Sequence, residues 1–124
     1  MEESEQFHIK LLEDEYDDAP EILEEIVDIF LDETPGRLEA MREGLEHQDM
    51  SKVAHAAHKL ANTSGTLKAH TALSAARELE HHARAERRDE AETAGRVLQK
   101  EMGHVIETLE QWRRERPPVD NTEA

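Results

Sequence analysis

His58 is the residue of this 124-residue chain best placed to do chemistry. It stands in the stretch AHAAHKLANTSGTLKA, residues 54–69, on a predicted helix otherwise rich in small side chains. At about 100° per residue, it falls far around the helix from the apolar stripe of Val53, Ala57, Leu60, Ser64 and Leu67. Ser51, His55, Asn62 and Gly65 share its face, so an exposed imidazole among short neighbours is expected. Gly65 in a helix interior costs about 1 kcal/mol relative to Ala, so its use points to a packing or docking reason, and on this face it lets another protein approach closely. An exposed imidazole can serve as an acid–base, a metal ligand or a nucleophile. Acid–base or hydrolytic catalysis calls for a water-excluding pocket and an orienting third group, and neither is readable here. A nucleophile that accepts and passes on a phosphoryl group needs less: an accessible Nε2, a neutral ring and a nearby cation. Lys59 is adjacent and can supply that cation.

Metal binding is the main chemical rival. The chain has 8 histidines, and Glu78-x-x-His81 and Glu101-x-x-His104 both show the spacing used by di-iron carboxylate bundles. That chemistry needs inward-pointing ligands. Glu78 and His81 instead fall opposite Leu73, Ala76 and Leu79, and Glu101 and His104 only flank the apolar stripe of their helix. His55-x-x-His58 offers two ligands, which make a weak site. His81 and His82 read as part of a solvated face. No metal site and no cofactor are expected.

Four helices must hold His58 in place. Residues 20–47 carry a stripe of Leu23, Val27, Phe30, Thr34, Leu38, Met41 and Leu45, with Pro20 suited to a first turn. Pro35 interrupts it. Either the helix continues through a kink, or it breaks and restarts with Thr34 as N-cap. The stripe stays in phase across Pro35, which favours the continuous helix. Asp49 can cap a second helix over 50–67. A third covers 70–87, with Ala69, Leu73, Ala76, Leu79 and Ala83 inward, and the charged turn ERRD ends it. Asp89 can cap a fourth over 90–114, with Leu98, Met102, Val105, Leu109 and Trp112 inward. Short connections between amphipathic helices imply an antiparallel four-helix bundle. The expected organisation is an acidic arm over 1–18, the bundle over 19–114 and an irregular tail over 115–124. The arm is a brief helix built on Phe7, Leu11 and Leu12, or it is disordered. The tail holds two prolines.

Composition narrows the partners. There are 15 basic and 30 acidic residues, a net charge of −15. That field repels nucleic acid and anionic membrane surfaces. A protein partner should be neutral or basic at its contact, or the acidic residues should lie away from it. There is no cysteine, so disulfides and thiolate metal sites are excluded. No apolar run approaches the roughly 20 residues that span a bilayer. The acidic start MEESEQFHIK lacks a signal core, so a cytoplasmic protein is expected.

The string HKLANTSGTLKAHTALSAARELE, residues 58–80, resembles the histidine-containing phosphotransfer (HPt) domains of phosphorelays, whose pattern is close to H-x-L-K-G-S-x-x-x-L-G-A followed by a helix ending near L-E. His58, Leu60, Thr63, Gly65, Leu67, Ala69 and the Leu79–Glu80 ending fit it, with Thr63 for the usual Ser. The resemblance implies a non-enzymatic phosphocarrier. His58 would take a phosphoryl group from the aspartyl phosphate of one receiver domain and give it to the aspartate of another. It implies response-regulator receivers and a hybrid histidine kinase as partners, with the magnesium and catalytic machinery on their side. It also implies charge support from Lys59 and docking clearance at Gly65, with His55 at the docking rim. No ATP site is expected, since no glycine-rich phosphate loop is present. A monomer is expected.

This sequence departs from the family pattern twice. Ala61 stands where the family often has Lys, and Asn62 where it often has Gly. Ala61 removes a phosphate-stabilising cation, which Lys59 is expected to replace. Asn62 places a larger polar group one turn from His58, where it either hinders docking or hydrogen-bonds the phosphate. These two residues support the alternative of a bundle that binds a partner without phosphotransfer.

Overall fold

A computed structural model describes residues 7–115 as five helices. They are α1 (Ile9–Glu15), α2 (Pro20–Glu46), α3 (Met50–Thr66), α4 (His70–Arg84) and α5 (Arg88–Glu115). Helices α2 to α5 form a four-helix bundle in which α2 packs on α3, α3 on α4, α4 on α5 and α5 on α2. The short helix α1 lies against α2 and α5. Leu12 and Phe7 are buried there, whereas Leu11 is exposed. Trp112 Nε1 donates to Glu13 at 2.9 Å, and Lys68 pairs with Glu15 at 3.4 Å. The expected tail over 115–124 falls outside the described residues beyond Glu115.

The core follows from the periodicities. In α2 the stripe from Leu23 to Met41 is buried throughout, and Leu45 is half-buried. The helix runs unbroken through Pro35, which is exposed, so the missing amide costs one bond on the solvent side. Asp49 caps α3 by accepting from the Lys52 amide at 3.1 Å. Two glycines set how closely helices approach. A Cβ on Gly44 would stand 2.7 Å from Val53 Cγ2, and one on Gly95 would stand 2.7 Å from Leu45 Cδ1. Leu73 and Trp112, expected inward, are only half-buried.

All three connections within the bundle are three residues long and share one geometry. Their middle residues, Gln48, Lys68 and Glu86, have φ near +58°, in the left-handed region (58°, 57° and 59°). The residue after each returns its amide to the last turn of the preceding helix: Asp49 to Gly44 O, Ala69 to Ser64 O and Arg87 to His82 O, at 2.8–2.9 Å. This is the Schellman closure, in which glycine is the usual left-handed residue. The closure corrects two expected boundaries. Helix α4 ends at Arg84 rather than 87, because Glu86 leaves the helical region. Helix α5 starts at Arg88 rather than 90, so Asp89 lies inside its first turn and is not its cap. Asp89 and Glu90 still oppose the positive end of the helix dipole.

A left-handed side chain is strained, and Glu86 is exposed with no ion pair among the described residues. Glu86→Gly is therefore expected to stabilise the fold by about 1 kcal/mol. Urea denaturation would read this as a higher midpoint at unchanged slope, and an unchanged or lower midpoint would contradict it.

Candidate functional site

The site is built on α3 and α4, which make the most extensive helix contact of the bundle. Their facing sides are lined with alanine: Ala54, Ala57 and Ala61 on α3, and Ala72, Ala76 and Ala83 on α4 are all buried. Short side chains let the helix axes approach closely. His58 sits at the edge of this contact, with 57% of its side chain exposed. Ser51, His55, Asn62 and Gly65 share its outward face and are exposed. A Cβ on Gly65 would meet nothing within 4 Å, so packing within this chain does not require a glycine there.

Across the contact, Glu80 of α4 reaches His58 Nδ1 at 3.3 Å. Glu80 is itself only 19% exposed and is held by Arg84, whose Nε and Nη2 donate to its Oε2 at 3.0 and 2.7 Å. Burial by itself raises the Glu80 pKa, but the hydrogen bonds and charges of Arg84 and His58 together outweigh it and hold the carboxyl below its ordinary value. Glu80 is thus ionised at neutral pH. An ionised carboxylate can only accept, so in the neutral ring the proton resides on Nδ1 and the lone pair on Nε2. The geometry gives an exposed imidazole of defined tautomer, with an anion behind the ring to stabilise a developing positive charge.

The other expected residues divide by position. Lys59 is exposed on the flank of α3 nearer α2, the same flank as Thr63, to which Arg37 of α2 donates at 3.2 Å. Asn62 and His55 lie on the open face beside His58. Ala61 is 6% exposed, so it belongs to the α3–α4 packing, beside the open face that carries His58. Its phase turns it toward α4, and its methyl helps α4 close on α3. Glu80 was noticed in the sequence only as part of the Leu79–Glu80 ending. Its place opposite His58 depends on the register of two helices, which no local pattern reports.

The metal motifs do not assemble. Glu78 and His82 line a groove of about 580 Å³ between α4 and α5, on the other side of α4 from His58, whereas His81 is exposed elsewhere. Among the described residues no three His, Asp or Glu side chains are grouped to hold a metal ion. A smaller groove of about 220 Å³ between α2 and α3 is lined by Ile26, Ile29, Phe30, Thr63, Thr66 and Leu67, beside the His58 face. No helix among the described residues is long and apolar enough to cross a membrane.

The lowered Glu80 pKa has a pH consequence. Because the folded value lies below the ordinary glutamate value of 4.5, its stabilising effect is present in full above that pH and is lost as pH falls through the folded value. Glu80→Gln should flatten the acid side of the stability profile below about pH 4.5. Denaturation midpoints for both proteins between pH 3 and 7 check this, and parallel acid limbs would contradict it.

Residues 25–115, most of the chain, match the family model of the Hpt domain. Comparison with curated proteins and with solved structures returned no significant match.

Proposed function

This chain belongs to the Hpt-domain family, a family of phosphotransfer in two-component signalling, and we propose that His58 is its phosphoryl carrier. The observation that carries this reading is the contact of the exposed His58 ring, through Nδ1, with ionised Glu80, which in the neutral ring places the lone pair on Nε2.

In the forward step, Nε2 attacks the phosphorus of an aspartyl phosphate on a receiver domain. The Nε2–P bond forms as the P–O bond to the aspartyl carboxylate breaks, and the electron pair leaves with that carboxylate. The ring becomes cationic while Nδ1 keeps its proton, and Glu80 opposes the new charge at 3.3 Å. Transfer to a second receiver reverses the sequence, with a carboxylate oxygen attacking phosphorus and the Nε2–P bond breaking. Phosphoryl transfer of this kind depends on positioning and charge stabilisation more than on covalent chemistry from the carrier. Glu80, fixed by Arg84, is a positioning residue for the ring. Lys59 contributes a cation beside the phosphoryl group, and Asn62 and His55 border the docking face. The magnesium and the remaining machinery belong to the partner, and the carrier acts as a cytoplasmic monomer.

Gly65 fits the same reading. A side chain there would clash with nothing in this chain, so the open space serves an approaching partner. Gly65→Ala is expected to stabilise the helix by about 1 kcal/mol while slowing transfer from a phosphorylated receiver. Transfer as fast as wild type would remove the docking role.

The direct test uses phosphoramidate, a small donor that needs no docking. The expected product is one acid-labile, base-stable phosphate per chain that is absent in His58→Gln. Persistence of that label in His58→Gln would place the phosphate elsewhere. A fully folded wild type that neither phosphoramidate nor any phosphorylated receiver labels would leave the adaptor reading in its place.

A further inference from the structure

Two side-chain hydroxyls are buried among the described residues, those of Ser64 and Thr34. Ser64 donates to Met102 Sδ at 3.5 Å, whereas Thr34 Oγ1 has no hydrogen-bond partner. A threonine inside a helix commonly returns its hydroxyl to the carbonyl four residues back. Thr63 and Thr66 do so, donating to Lys59 O at 3.1 Å and to Asn62 O at 3.2 Å. Thr34 has the same option in Phe30 O and does not take it. A buried hydroxyl without a partner has given up its hydration for nothing in return.

Thr34 lines the groove of about 220 Å³ between α2 and α3. Ile26, Ile29 and Phe30 of α2 and Leu67 at the end of α3 form its apolar walls. Ile29 is 51% exposed, whereas Phe30, Thr34 and Leu67 are buried, so the groove runs from solvent at Ile29 into the core. Its two charged groups, Glu33 and Arg37, pair with each other at 3.0 Å. Arg37 also donates to Thr63 at 3.2 Å. A helical side chain covers the turn before it, so Arg37, three residues on and joined to α3, closes Thr34 from water. The groove thus offers an apolar surface, one unpartnered hydroxyl and no net charge. An apolar cavity of about 150 Å³ holds a benzene ring, so about 220 Å³ holds one ring with a small substituent.

We propose that this groove is a binding site for a small neutral molecule with one ring and one hydroxyl, of which phenol is the simplest. The ring lies between Ile26, Phe30 and Leu67, and its hydroxyl partners Thr34 Oγ1. Arg37 is partly exposed and swings aside to admit it, as surface side chains do within nanoseconds. Each hydroxyl can donate or accept, so the pair is satisfied in either sense. A wholly apolar ring would leave Thr34 unpaired. A charged molecule would lose its hydration without meeting an unpaired opposite charge. The site lies on the α2 side of α3 and uses neither His58 nor Glu80, so it stands independently of the phosphotransfer reading.

The test titrates phenol, toluene and N-acetyltyrosinamide into the isotope-labelled full chain and follows amide shifts by NMR. Phenol should bind saturably, with a Kd on the order of 1 mM, and move the amides around Ile29, Phe30, Thr34 and Leu67. Thr34→Val keeps the shape of the side chain and removes the hydroxyl. It should weaken phenol roughly 3- to 10-fold and leave toluene unchanged. Its urea midpoint should be no lower than that of wild type, because the hydroxyl has no partner to lose. A lower midpoint would contradict that premise and sink the proposal. Shifts that do not saturate, or that centre elsewhere, would remove the site. Unchanged phenol binding in Thr34→Val would overturn the hydroxyl's role and leave an apolar side chain of a protein partner as the occupant. Tighter binding of N-acetyltyrosinamide than of phenol would overturn the free ligand in favour of a partner's tyrosine.

Discussion

The close packing of α3 against α4 is the constraint on which the site depends. Alanines occupy the positions where the two helices meet, and larger side chains there would hold the axes apart. With the helices close, a glutamate on one can reach the ring nitrogen of a histidine on the other. Elsewhere the bundle relies on larger side chains, with Leu60, Leu79, Leu98, Met102 and Leu109 filling the middle. Gly44 performs for α2 and α3 what the alanines perform for α3 and α4: a Cβ there would meet the Val53 side chain and backbone, so the glycine lets the neighbour approach.

Charge is distributed around the same pair of helices. A chain with a net charge of −15 repels itself and most anions, and a histidine proposed to carry a phosphoryl group stands within that field. The conflict is resolved by segregation. Carboxylates lie on the arm, α2, α5, the second half of α4, the connections at Asp49 and Glu86 and the tail, and the one carboxylate that touches His58 is partly buried and held by Arg84. Glu80 therefore acts on the far ring nitrogen, where a negative charge helps, and not on the side where a phosphoryl group would sit.

Much of the fold was legible because helix burial has a period. The stripe from Leu23 to Met41 stayed in phase across Pro35, and the helix is continuous for that reason: one missing amide on the solvent side does not outweigh a buried face of about five turns' length. Asp49 was readable as a cap because its carboxylate satisfies a local amide. The boundaries at Arg84 and Arg88 were misplaced because Glu86, a residue with no intrinsic preference for positive φ, closes the turn. Ala61, where the family pattern often has Lys, lies beside the face that carries His58. It is buried because an alanine at that phase has no length with which to leave the helix contact.

The sequence by itself determined the helices, the outward phase of His58 and its small neighbours, since each follows from spacing along one helix. Its ordering of charge was also present, as the absence of acidic residues from 50 to 77. Only the tertiary structure decided which group meets the other nitrogen of His58. Glu80 is 22 residues away along the chain, and no helical period relates the two. Their meeting depends on a three-residue turn, an antiparallel register and an alanine contact acting together.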